Sequence, residues 1–262
     1  MRVGNMFAAE LRKIATLPAT WVALAVTLLG SVGVTVLNAI ATRAALDSGE
    51  RESRAFVSVF ETGYAAVPLG TVGAVVIGVV AMSSEYTANN ADAGSGRQIT
   101  TTLAASPHRT GLLVAKALAV VLLVVVAAAA TIPASVGIAR LIIGGGSPET
   151  VALDDALLRA LGATLYWTLT GLIALAITVL ARSGIIPLVV LVANNSLVSV
   201  SLLLTSITPL AHWLPDMAGR RLFGGLSTVE GGLDAGPGAL VMAAWTLVLL
   251  AVAGVVFSRR DA

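Results

Sequence analysis

Apolar residues come in six long runs separated by short polar stretches: Trp21–Ala41, Thr62–Ser84, Ala117–Ala139, Ala160–Ala181, Ser183–Pro215 and Ala235–Ser258. A helix needs about 20 apolar residues to cross the hydrocarbon core of a bilayer. Each run is therefore long enough for one crossing. The pattern predicts an all-α, polytopic membrane protein with six transmembrane helices over 20–41, 63–84, 113–139, 160–181, 184–206 and 237–258. The fifth run, 33 residues, is too long for one crossing and too short for two. Its end, around Pro209 to Pro215, is expected to leave the bilayer core or fold back at its surface. The whole chain, 1–262, reads as one transmembrane domain.

Residues 1–17 carry a different pattern. At 100° per residue, Val3, Met6, Phe7, Leu11 and Ile14 fall on one arc, with Arg2, Asn5, Arg12 and Lys13 outside it or at its edge. This predicts an amphipathic helix lying on the membrane surface. Glu10 is the exception, because its angle puts it inside the apolar arc. Either it snorkels to the interface or pairs with Lys13 at i+3, or it meets a partner protein. The charge-free stretch Ile14 to Thr42 is 29 residues long, against roughly 7–15 for the apolar region of a secretory signal. It reads as a retained first span.

Composition narrows the class. The chain is 57% hydrophobic and 11% charged, with a mean hydropathy of +0.93, whereas a soluble domain carries about 25% charged residues. The net charge of +2 comes with no basic cluster, so nucleic acid is not an expected partner. There is no cysteine, which excludes disulfides, thiolate metal sites and cysteine nucleophiles. With six crossings and the N-terminus inside, nine Lys/Arg fall on inner segments and seven on outer ones. That is a weak positive-inside bias favouring cytoplasmic termini.

Chemistry-bearing motifs are few. No Gly-Lys-Ser/Thr occurs, so the chain has no Walker site for ATP. His108 and His212 both lie outside the predicted spans, which leaves no Ser–His pair at helix depth. No His/Asp/Glu constellation suits a metal. The central part of every span lacks Asp, Glu, Lys and Arg, so a proton-coupled transporter has no relay. Energy for any transport must then come from elsewhere. Asn194, Asn195, Ser196, Ser199 and Ser201 form the most polar patch inside a span. They read either as interhelical hydrogen-bonding groups or as a substrate path or dimer seam. Pro133 and Pro187 are positions where spans three and five can kink.

The polar stretch from Ser84 to Lys116 reads as the one substantial cytosolic loop, at 85–112, opposite outer loops at Arg43–Glu61, Arg140–Arg159 and roughly Ile207–Asp234. Ser106-Pro107 is a helix start, a serine cap followed by a proline. It predicts that the third helix carries His108, Arg109 and Lys116 before entering lipid. Ile99, Thr102 and Leu103 share one face of a short helix, suited to passing a push to the two flanking spans. The plain alternative is a solvated loop.

Glu85-Tyr86, then Arg97-Gln98-Ile99-Thr100-Thr101-Thr102-Leu103-Ala104-Ala105-Ser106-Pro107-His108-Arg109 and Ala115-Lys116-Ala117, resemble the second-to-third-span loop of type-2 ATP-binding-cassette transporter permeases, the actinobacterial members in particular. Glu10-Leu11-Arg12-Lys13 with Thr20-Trp21 is similar to that family's interfacial helix and first span, and Trp213–Gly219 to its last outer loop. Thr87–Gly96 is longer and richer in Asn and Ala than the family pattern. The resemblance implies a transport subunit of the plasma membrane with no enzymatic site of its own. It pairs with a second permease subunit, as homo- or heterodimer, and with two copies of a cytosolic ATPase that binds ATP and Mg. It implies export of a drug, antibiotic peptide, lipid or similar cargo. Docking on the ATPase falls to Arg97, Thr101, Thr102, Leu103, Pro107 and Arg109, with Glu10 and Glu85 in support. The rival expectations are a transporter or channel not driven by ATP, and an immunity protein that sequesters a toxic peptide.

Overall fold

The computed structural model describes residues 3–48, 59–87, 98–99, 102, 108–144, 152–194, 199–223 and 231–259. Among them there is no strand. Helix α1 is Val3–Thr16. Five helices are long and apolar enough to cross a membrane: α2 Pro18–Ser48, α3 Val59–Tyr86, α4 Arg109–Ile143, α5 Leu153–Ala181 and α9 Ala235–Arg259. Between α5 and α9 lie the short helices α6 Ile185–Asn194, α7 Val200–Thr205 and α8 Pro215–Ala218, with 3₁₀ turns at Pro209–Trp213 and Gly219–Phe223.

The long helices extend beyond the apolar runs because their polar ends suit helix termini. α5 starts at Leu153, with Asp154 and Asp155 in its first turn, where carboxylates are favoured by the helix dipole. α2 begins with Pro18 at its first position, where a missing N–H costs nothing. The fifth apolar run departs from the expected single helix over 184–206. It forms α6 and α7 as separate pieces, with 195–198 outside the described residues. The chain from 209 to 223 buries Ala211, His212, Met217, Ala218 and Gly219 against the bundle and leaves Leu210 and Trp213 exposed. Gly219 lies against Tyr166 of α5 and Met242 of α9, and Gly162 of α5 against the Leu222 carbonyl.

α3 and α5 form the centre. The apolar window of α5 is 72% buried and that of α3 67%, whereas those of α2 and α9 are 28% and 22%. The two central helices meet through glycines. A Cβ at Gly78 would lie 2.0 Å from the Gly171 carbonyl oxygen, and one at Gly70 would lie 1.9 Å from the Trp167 ring. Small residues let backbones approach where lipid gives helices no hydrophobic reason to associate. The Trp167 indole fills the space over Gly70, and its N–H donates to the Val67 carbonyl at 3.0 Å.

The peripheral helices are inside-out relative to a soluble bundle. α2 buries Thr20, Thr27, Ser31, Thr35 and Thr42 and exposes Trp21, Val22, Leu29, Leu37 and Ile40. α9 exposes Leu240, Leu247 and Val248. In water this much exposed aliphatic surface would drive association. Against hydrocarbon it is the stable arrangement, and the hydroxyls turn inward where partners are.

α1 and the C-terminal end of α9 lie at the same end of the bundle. Arg109, the first residue of α4, donates to the Phe257 carbonyl in the last turns of α9 at 3.1 Å. Met6 of α1 is the nearest side chain to Gly111.

Gly78→Ala is expected to separate α3 from α5 and lower the melting temperature in detergent. Gly137 has open space around it, so Gly137→Ala is expected to be neutral or to stabilise by about 0.5–1 kcal/mol, the helix-propensity gain. Equal shifts for the two variants would contradict the close-packed α3–α5 seam.

Candidate functional site

The α1 end of the bundle holds four charged side chains in one buried network. Its hub is Lys116, fully buried in α4. The Lys116 ammonium donates to Glu10 Oε2 at 2.6 Å, to Glu85 Oε1 at 2.7 Å and to the Ala81 carbonyl at 2.9 Å. An ammonium has three donors, and all three are used. Glu85 Oε1 also accepts from Lys13 at 2.5 Å, and Glu85 Oε2 accepts from the Thr102 hydroxyl at 2.9 Å. Two cations and two carboxylates leave the cluster neutral.

Each member is carried here by helical register. Met6, Glu10 and Ile14 are spaced i, i+4, i+8, and all three are buried. They form the inward stripe of α1, and Glu10 stands in its middle. Lys116 shares a face of α4 with Leu112 and Ala119, both buried. Glu85 ends α3, fully buried. The Ala81 carbonyl belongs to the last turns of that helix, where a cation is favoured by the unpaired carbonyls.

Removing a charge from water costs several kcal/mol, and attraction offsets this only with good geometry and satisfied hydrogen bonds. The network meets both conditions. It also ties α1, α3 and α4 together through Lys116, and parting Glu10 from Lys116 would leave the buried Glu10 carboxylate without a counter-ion. Lys13, 21% exposed, is its edge towards solvent.

Gln98, Ile99 and Thr102 lie close to the cluster. Ile99 is buried in the main apolar core, Thr102 reaches Glu85, and the Gln98 N–H donates to the Thr87 carbonyl at 3.1 Å. Gln98, Ile99 and Thr102 are helical. Thr102 is thereby held to the charged hub by a hydrogen bond, while Ile99 is anchored in the apolar core.

The structure revises several expectations. Glu10 does not pair with Lys13; Lys116 takes Glu10, and Lys13 takes Glu85. Lys116 is not exposed at the start of the third helix, since the packing of α1 and α3 encloses it. Glu10 and Glu85 face the interior, so a partner meets them here only through the residues that cover them. The third helix starts at Arg109 behind His108, which makes no side-chain cap. Arg97, Thr101, Leu103, Ser106 and Pro107 lie outside the described residues. Arg109 spends a donor on the end of α9.

The second polar patch folds onto its own chain. The Asn194 amide donates to Asp216 Oδ2 at 2.9 Å, and its oxygen accepts from the Ser201 N–H and hydroxyl at 3.1 and 3.2 Å. Ser199 caps α7 by accepting from the Leu202 N–H, and its hydroxyl lies 3.5 Å from Asp216 Oδ2. These contacts tie the broken ends of α6 and α7 to α8. Asn195 and Ser196 lie outside the described residues. At the opposite end of the bundle from α1, Arg159 of α5 donates to Glu61 of α3 at 2.5 Å and lies 4.9 Å above the Phe60 ring.

Sequence reasoning missed Lys116 as the hub and Asp216 as the partner of Asn194. A signal for Lys116 was present, because its register places it on the inward face of α4. Asp216 had none, being distant in sequence from Asn194.

Among the described residues no group of three or more His, Cys, Asp or Glu side chains is placed to hold a metal ion. Comparison with protein-family models and with curated proteins gives no match. Among the described residues the fold and the site define a helical bundle with five helices suited to crossing a membrane, two of which, α3 and α4, are joined to α1 by a buried ion network.

Lys116→Met leaves the buried Glu10 carboxylate without a counter-ion, Glu85 keeping Lys13, and is expected to destabilise the chain by about 3–5 kcal/mol. Glu10→Gln combined with Lys116→Met is expected to cost less than the sum of the single changes, by about 0.5–3 kcal/mol, because the two sites interact directly. Additive effects in denaturant titrations would contradict a shared network.

Proposed function

We propose that this chain is the membrane subunit of an exporter of the type-2 ATP-binding-cassette class, worked by a separate cytosolic ATPase. One observation supports this reading more than any other. The polar loop after α3 is tied through Thr102 to a hub that joins α1, α3 and α4, and its Ile99 is buried in the apolar core. A push on that loop reaches three helices at once. A chain with no Walker motif needs such an input from a partner.

In this reading the α1 end is the cytosolic end of a plasma-membrane protein. α1 is an interfacial helix, and α6 with α7 and the 209–223 segment makes the sixth passage, so both termini are cytoplasmic. Arg97, Thr101, Leu103 and Pro107 meet the ATPase in this reading. Glu10 and Glu85 act from beneath, by holding the loop in place. Two such subunits and two ATPase copies, with ATP and Mg on the ATPases, form the working unit. Its cargo is a drug, antibiotic peptide, lipid or similar amphiphile.

Purification of the tagged chain from its native membranes is expected to bring along a P-loop ATPase in equal amount. Arg97→Ala with Leu103→Ala is expected to weaken that association about tenfold or more, the cost of a lost charge-assisted contact, with an unchanged melting temperature. A chain that purifies alone, or an association indifferent to both substitutions, contradicts the proposal.

A further inference from the structure

Well away from the ion network, a small cavity lies between α2, α3, α4 and α5. It is lined by Ser31, Ala66, Val67, Thr131, Ser135 and Trp167 among others, with about 10 Å³ open to the centre of a water-sized sphere. That is about the room one water occupies.

Two polar side chains aim into it without partners. Thr131 and Ser135 are each 2% exposed, and neither hydroxyl has a hydrogen bond. This is unusual within the molecule. Thr27, Thr71, Thr164, Thr168, Thr170, Thr178 and Thr246 all turn their hydroxyls back to the carbonyl four residues earlier. Thr131 and Ser135 forgo that bond and face α2 instead. There, the Ser31 hydroxyl reaches the Ala66 carbonyl only at 3.5 Å. Thr35, one turn on from Ser31, is also buried and unpartnered.

Backbone irregularities in three helices converge on the same place. The π-helical segment Val26–Gly30 of α2 ends at Ser31. α3 is interrupted by a turn at Ala65 and Ala66, with Pro68 just beyond. Pro133 stands in α4 between Thr131 and Ser135 and lacks the N–H that would pair with the carbonyl four residues earlier. Such freed backbone groups are tolerated in a lipid-surrounded bundle only when something polar satisfies them. No charged side chain lines the cavity, so nothing there offsets the dehydration of an ion.

We infer that this cavity is a binding site for an ordered water. It accepts from the Thr131 and Ser135 hydroxyls and donates to carbonyls at the Ala66 turn. The water lets three helices keep irregular backbones at one level of the bundle.

The test uses the full chain in detergent or nanodiscs. Thr131→Val preserves shape and removes the hydroxyl. If a water bridges the site, Thr131→Val and Ser135→Ala each lower the melting temperature, and the double variant loses less than the sum. In a dry cavity the same changes relieve unpaired buried hydroxyls, and the melting temperature holds or rises. X-ray radiolytic footprinting gives a second readout that does not depend on the variants. Trp167 is 1% exposed, so radicals from bulk water do not reach it, whereas a bound water beside it generates them in place. Oxidation of Trp167 in the wild-type chain is expected. An unlabelled Trp167, or a melting temperature that holds or rises in Thr131→Val, overturns the inference.

Discussion

The dehydration of one ammonium group governs the α1 end of this molecule. Lys116 is enclosed by helices that offer it two carboxylates and a carbonyl. Burying that charge is costly, so the groups that offset it cannot move independently. Glu10 fixes α1 against α4, Glu85 fixes the end of α3, and Lys13 and Thr102 fasten the second carboxylate from outside. The ion pairs add to the apolar anchoring of α1 through Met6 and Ile14 and tie it to α3 and α4. The loop after α3 is attached to the same lock.

The rest of the bundle obeys the complementary constraint, that polar groups need partners and hydrocarbon supplies none. Hydroxyls line the inward face of α2 while its large aliphatic residues face out. Threonines along α5 bond to their own helix, and the Trp167 N–H finds the Val67 carbonyl. Where α6 and α7 part, Asn194 and Ser199 take Asp216 as an anchor. The apolar composition is the surface of this protein, and its sparse polar groups are the interior joinery.

How far the sequence foretold this varies by element. The five long helices were legible because an apolar run of span length has one stable use, and α1 was legible from its periodicity. Glu10 already stood out as a carboxylate on an apolar arc, but naming Lys116 as its partner required knowing that α1 packs on α4, which no local pattern encodes. The fifth run misled, since hydrophobicity alone does not distinguish one continuous helix from two short ones. The break there is set by Asn194, Ser199 and Asp216 satisfying one another, a tertiary event. The hydroxyl cluster around Pro133 was equally hidden, because a threonine that bonds to its own helix and one that faces a cavity look the same in sequence.

The most direct measurement follows from the absence of native cysteines. Spin labels at introduced cysteines replacing Gln98, Arg12 and Ser48 report distances by pulsed electron resonance in the proposed complex with a cytosolic ATPase, with and without nucleotide. If the ion network makes the loop and α1 one body, the Gln98–Arg12 distance stays fixed while both move together relative to Ser48 at the far end of α2. A Gln98–Arg12 distance that changes with nucleotide while Arg12–Ser48 stays constant would contradict that coupling.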